Sequence, residues 1–199
     1  MRVIDFPQRS PEWFTARLGI PTASNFAKLI TPTGKPSTSA NGYINELVAE
    51  RVTGVRQEAK VSEAMQRGTD LEPEALSFFE LVTGLAVDPA SLCLHDDIDA
   101  GASPDGFIGN FALLEIKCPS AHTHVEYLRD NKLPAKYIPQ VQGQMWITNR
   151  PFCHFLSYHP DFKHLLVIVM RDEEYIEKLR IEVTAAVMNV EIITKEYKK

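Results

Sequence analysis

Two carboxylates and a lysine lie close together in the middle of the chain. Asp105 sits in Ser103-Pro104-Asp105-Gly106, and ten residues later Glu115 and Lys117 occur in Leu114-Glu115-Ile116-Lys117. Successive side chains of a strand point to opposite faces, so Glu115 and Lys117 share one face while Leu114, Ile116 and Cys118 share the other. With the apolar face turned to the core, the acid and the lysine stand side by side. A carboxylate pair suits Mg²⁺, a hard cation that takes one or two protein carboxylates and completes its shell with water and substrate phosphate. A lysine beside them can orient an attacking water or help remove its proton. Singly, Pro-Asp-Gly is usually a turn and an acid–lysine pair a solvated edge. Their combination points to metal-assisted chemistry on phosphate.

Whether these groups meet depends on the turn between them. In a two-residue hairpin at Gly109-Asn110, Ile108 would face Phe111 and Asp105 would face Leu114, which puts Glu115 on the wrong side of the sheet. A three-residue turn or a bulge brings Asp105 opposite Glu115, and this odd-length connection is expected.

The surrounding elements can be read from caps and periodicity. Ser10-Pro11-Glu12 joins a cap residue, a proline at the first helical position and an acid in the first turn, predicting a helix from about Ser10 to Leu18. A second helix is predicted from Thr22, with Phe26, Leu29 and Ile30 at helical spacing. Its N-terminal amides, the Ser24 hydroxyl and the Arg17 fork together would suit an anion. The plainer expectation pairs Arg17 with Glu12 or Asp5. Thr31 to Asn41 reads as a loop, and Gly42 to Thr53 and Leu71 to Thr83 as helices. Because Pro73 follows Glu72, that acid is expected at a helix start or a kink.

Strand-like runs follow at Ser91 to His95, Phe107 to Ile108 and Leu113 to Cys118. A polar helix from about Tyr137 to Thr148 separates these from strands at Phe152 to Tyr158 and Leu165 to Arg171. Ile176, Leu179, Val183, Val187 and Val190 form the apolar stripe of a long C-terminal helix. The expected class is α/β or α+β, with a small mixed sheet flanked by helices.

Composition narrows the function classes. The 199 residues are 44% hydrophobic and include ten Phe, which excludes a disordered chain and predicts one domain over 1–199. Met1-Arg2-Val3-Ile4-Asp5 meets an acid and Pro7 before any apolar run, so no signal peptide is expected. No apolar stretch approaches the roughly 20 residues of a membrane span. Three scattered cysteines, Cys93, Cys118 and Cys153, supply neither a disulfide framework nor a four-thiolate cluster, and a cytoplasmic location is expected. A net charge of −5 argues against a protein that coats nucleic acid by general attraction.

Ser103-Pro104-Asp105-Gly106 with Leu114-Glu115-Ile116-Lys117-Cys118-Pro119 resembles the active-site signature of the PD-(D/E)XK nucleases. The resemblance is closest to the phage lambda exonuclease and YqaJ-like viral recombinase family. Arg17-Leu18-Gly19 with Thr22-Ala23-Ser24, Gly68 with Glu72, and Gln140-Val141-Gln142 with Met145-Trp146 fall in the family's order. The resemblance implies a restriction-endonuclease-like core. It also implies that Asp105, Glu115 and the Ile116 carbonyl bind one or two Mg²⁺ ions, with Mn²⁺ as a substitute. Lys117 and Gln140 would serve the attacking water, and Glu72 would lie beside the metal. Arg17 and Ser24 would receive a 5′-phosphate, and Met65, otherwise an ordinary core residue, would wedge the terminal base pair.

The implied activity is 5′-to-3′ digestion of one strand of linear double-stranded DNA, leaving a 3′ overhang for a phage single-strand annealing protein. A homotrimeric ring enclosing the DNA is implied too. A restriction-type endonuclease shares the catalytic core but would need a base-reading module that the chain does not visibly carry. A DNA-end-binding protein without activity is the non-enzymatic alternative. Enclosure would reconcile the −5 with a DNA substrate: a locally positive channel near Arg17, Lys28, Lys35 and Lys117, and an acidic exterior along the C-terminal helix.

Overall fold

The computed structural model describes residues 1–56 and 62–199, which form a three-stranded and a five-stranded sheet with helices packed around them. In chain order the elements are β1 (Arg2–Ile4), α1 (Pro11–Ala16), α2 (Ala40–Thr53), α3 (Glu63–Thr83), β2 (Asp88–Pro89), β3 (Leu92–Leu94), β4 (Gly101–Ala102), β5 (Gly106–Ile108) and β6 (Ala112–Lys117). They continue with α4 (Ala121–Asp130), α5 (Ile138–Thr148), β7 (Phe152–Ser157), β8 (Leu165–Met170) and α6 (Glu173–Tyr197). Short 3₁₀ helices cover Ala23–Lys28 and Ala135–Tyr137.

The small sheet has the order β1-β3-β4, and the larger one β2-β5-β6-β7-β8. Among the described strands only β6 and β7 pair in parallel, and α4 and α5 form the crossover that a parallel pair needs. Helices cover both faces of β6. On one side Ala112, Leu114 and Ile116 pack with Ala75 and Phe79 of α3; on the other Leu113 packs with Val141 and Met145 of α5. The apolar stripe of α6 is buried as its spacing predicts, together with Tyr43, Ile44, Leu47 and Val48 of α2.

Three expectations need correction. The helix containing Glu72 begins at Glu63, where the Ser62 hydroxyl accepts from the Met65 amide, so Glu72 lies in a helix interior and not at its start. Pro73 is accommodated within that helix. The segment after Thr22 is a six-residue 3₁₀ helix whose cap hydroxyl makes no capping bond, which removes the helix-terminus part of the anion argument. The helix at Tyr137 to Thr148, expected to be polar, is nearly all buried. Gly143 permits this depth, since a β-carbon there would stand 2.4 Å from the Phe26 ring.

Candidate active site

The β5–β6 connection has the expected odd length. Ile108 pairs with Ala112, leaving Gly109, Asn110 and Phe111 as a three-residue turn, with Gly109 at φ 50. The ladder ends at Gly106 opposite Leu114, so the next step brings Asp105 abreast of Glu115. There the strand pattern gives way. The Asp105 amide donates to the Leu114 carbonyl at 3.1 Å, and its Oδ2 accepts from the Ile116 amide at 2.6 Å. Arg150 secures the turn, donating from Nη1 to the carbonyls of Gly109 and Ala112 at 2.6 and 3.1 Å. Behind Asp105, Gln8 donates to the Pro104 carbonyl at 2.7 Å, and Trp13 Nε1 to Ser103 Oγ at 3.2 Å.

Glu115 is only 1% exposed, which is unusual for an acid and requires partners. Lys117 Nζ and Gln140 Nε2 both donate to its Oε1, the latter at 2.6 Å, and Gln144 Nε2 donates to its Oε2 at 2.6 Å. Burial alone would depress Lys117, yet Glu115 and Asp105 hold its ammonium above the ordinary lysine value. Burial, and then the neighbouring Glu115 charge, push Asp105 well above the usual carboxylate range. A buried acidic pair that repels itself in this way is one that a cation relieves. Among the described residues, no cluster of three His, Cys, Asp or Glu side chains could hold a metal. Two carboxylates with backbone oxygen suit Mg²⁺, which keeps several waters, better than they suit zinc.

Glu72 lines the same cleft and pairs with Arg9 Nη2 at 2.6 Å. Its near neighbour Glu74 instead accepts from Tyr158 Oη, so the helix separates two acids that the sequence makes easy to confuse. Tyr137 packs on Phe155 with ring centroids 5.4 Å apart, and its ring lies 5.3 Å from Lys117 Nζ. His122 is exposed beside Glu126, while buried His124 bridges Ser157 and the Lys163 carbonyl.

Among the described residues, Arg17 pairs with neither Glu12 nor Asp5. Its Nη2 donates to Thr22 Oγ1 at 3.0 Å and to Ser24 Oγ at 3.4 Å, and its guanidinium stacks 3.9 Å from the Trp13 ring centroid. Burial lowers its pKa to about 10, which still leaves it charged near neutrality. α2 anchors the loop between them: Glu50 accepts from the Gly19 amide, and Arg51 donates to the Gly19 carbonyl. Met65 is 52% exposed and lines the cleft, so it is not the core methionine of the plainer reading.

One cleft of about 1440 Å³ therefore brings together Asp105, Glu115, Ile116, Lys117, Gln140, Glu72, Arg17, Ser24 and Met65. Lys28 lines it and Lys35 does not. Among the described residues, seven Lys and Arg and six Asp and Glu line the cleft, so its charge is close to balanced where a positive channel was expected. Gln144 escaped the sequence reading; its spacing of four from Gln140, one helical turn, was the available signal. No described helix is long and apolar enough to cross a membrane.

The sequence profile of the YqaJ-like viral recombinase domain matches residues 12–151. Among solved structures, an alkaline exonuclease from Laribacter hongkongensis superposes with a TM-score of 0.88 at 37% identity, over 95% of this chain and 96% of that one. A structure of that exonuclease in complex with dAMP gives a TM-score of 0.86 at 36% identity, over 95% and 96% of the two chains. A phage related exonuclease from Haemophilus somnus 129PT shares the fold, with a TM-score of 0.70 at 20% identity over 89% and 96% of the chains. Comparison with curated proteins gives no match. The matched segment contains every residue that lines the cleft except Gln8 and Arg9, and by it the chain belongs to the YqaJ-like viral recombinase family.

Proposed function

We propose that the chain is a Mg²⁺-dependent exonuclease that degrades one strand of linear double-stranded DNA from a 5′-phosphorylated end. The 3′ overhang it leaves would feed phage-type recombination by single-strand annealing in the host cytoplasm. The observation that carries this reading is a single cleft holding both a buried acidic pair with its lysine and a stacked arginine flanked by two hydroxyls. The first is suited to cutting a phosphodiester and the second to gripping a terminal phosphate. The 37% identical alkaline exonuclease supports a nuclease, and its complex with dAMP fits a site that handles single nucleotides.

In this reading Arg17, Thr22 and Ser24 bind the 5′-phosphate and set how far the strand enters. Met65 presents an apolar side chain to the terminal base pair, where unstacking costs a few kcal/mol that such a wedge offsets. Asp105, Glu115 and the Ile116 carbonyl would hold Mg²⁺, which when bound supplies Lewis acidity at the phosphodiester. Lys117 and Gln140, already on Glu115 Oε1, hold the attacking water by hydrogen bonds. Glu72 lies within the same acidic field and keeps Arg9 in the cleft. A trimeric ring and an annealing-protein partner complete the proposal, because enclosure retains DNA that a charge-balanced cleft would not hold strongly.

Linear and covalently closed circular duplex incubated with Mg²⁺ test the proposal. Digestion of the linear form alone is expected. Cutting of the circle would favour an endonuclease, and survival of both substrates with binding to ends would favour a binding protein.

A further inference from the structure

Of the three described side chains bonded to Glu115, only Gln144 has no part in the reaction outlined above. It is 1% exposed and lies on α5 one turn beyond Gln140, on a helix held against Phe26 by the close approach at Gly143. A carboxylate oxygen can only accept, so the Gln144 amide must turn its nitrogen to Glu115 Oε2. That orientation leaves Gln144 Oε1 buried without a hydrogen-bond partner among the described residues. An unmet buried acceptor is destabilising, and a Met or Leu of similar volume would fill the space without it. Packing alone therefore does not account for an amide here.

The distribution of donors over Glu115 supplies the account. Oε1 receives both Lys117 and Gln140, which fills the two lone-pair positions a carboxylate oxygen offers. Among the described residues Oε2 receives only Gln144, which leaves one position on it open. We infer that Gln144 is a positioning residue that fixes the rotation of the Glu115 carboxylate and so aims the open lone pair of Oε2 at the divalent cation. The inference rests on the Mg²⁺ reading of the site. Hydrogen-bonding partners of metal-binding carboxylates commonly govern metal affinity in this way.

The test is Mn²⁺ binding to the full chain without DNA, followed by electron paramagnetic resonance of the free ion. Wild type is compared with Gln144→Met, Gln144→Leu and Asp105→Asn, with circular dichroism to confirm folding. The Gln144 variants are expected to bind Mn²⁺ about ten- to hundredfold more weakly. They should also lose kcat while KM for DNA ends stays within about twofold, because the Arg17 pocket is untouched. A folded Gln144→Met or Gln144→Leu protein that binds Mn²⁺ as wild type does overturns the inference, and either variant suffices. Wild type and Asp105→Asn binding equally would instead overturn the metal reading, and this inference with it.

Discussion

Arg17→Ala gives the sharpest test of the proposed phosphate pocket. The guanidinium is held by Thr22 and Ser24, stacked on Trp13 and largely withdrawn from water. Much of the cost of ordering and desolvating it is thus met in the fold, before DNA arrives. A charge-assisted hydrogen bond in such a setting contributes about 1.5 to 3 kcal/mol. Taking about 2 kcal/mol, kcat/KM on a 5′-phosphorylated duplex should fall roughly thirtyfold. On a 5′-hydroxyl duplex, where the bond has no partner, the fall should stay within about threefold. Losing the stack and the hydroxyl contacts costs about 1 kcal/mol of stability, or roughly 2–4 °C in Tm for a chain of this size. Both duplexes, otherwise identical, are digested under single-turnover and steady-state conditions by wild type, Arg17→Ala and Arg17→Lys. The lysine variant keeps the charge but not the fork, and should be intermediate. Equal losses on both substrates would refute the pocket, because they would mean that Arg17 supports the fold and reads no phosphate.

Other outcomes follow from the same geometry. Asp105→Asn should lower cleavage at least about a hundredfold, as should removing divalent cations with a chelator, while phosphorylated ends still bind by gel shift. Restored cleavage of either sample without a divalent cation would contradict this. Met65→Ala, at an exposed position, should leave Tm nearly unchanged but slow digestion of blunt ends several-fold, with recovery on substrates whose terminal pair is mismatched. Equal slowing on both ends would remove the wedge. Buried His154, with Nδ1 unpartnered among the described residues and its ring against Phe79, is held below its ordinary value of 6.5 by burial. Its neutral form is favoured in the fold, so the stability it contributes is complete above pH 6.5 and is lost as pH falls through the lower native value. His154→Phe should therefore flatten the acid side of the Tm–pH curve, and an unchanged curve would show that His154 does not titrate on unfolding.

The geometry of the cleft was legible where local rules decide it. Alternation along β6 put Glu115 beside Lys117, and parity required the three-residue turn. The stripe of α6 was equally plain, because one face of that helix meets water. Signals failed where tertiary packing overrides local pattern. The first half of α3 was hidden by Gly68 and Pro73, both tolerated in the helix that Ser62 starts. Buried on nearly every side, α5 lacks the contrast between faces that marks a surface helix, so its glutamines looked solvated. β1, β2 and β4 have two or three residues each, too few for any period to show.

The turn at Gly109, Asn110 and Phe111 does not line the cleft, yet it constrains how this sequence can drift. Strand side chains alternate with a period of two, so inserting or deleting a single residue there would swing Asp105 to the other face while leaving the hairpin able to form. On the proposed role of Asp105, such a protein would fold and be inert. Length changes at this surface turn are therefore tolerable only in steps of two, and the place of Asp105 is inherited as an even or odd number as much as by its chemical identity.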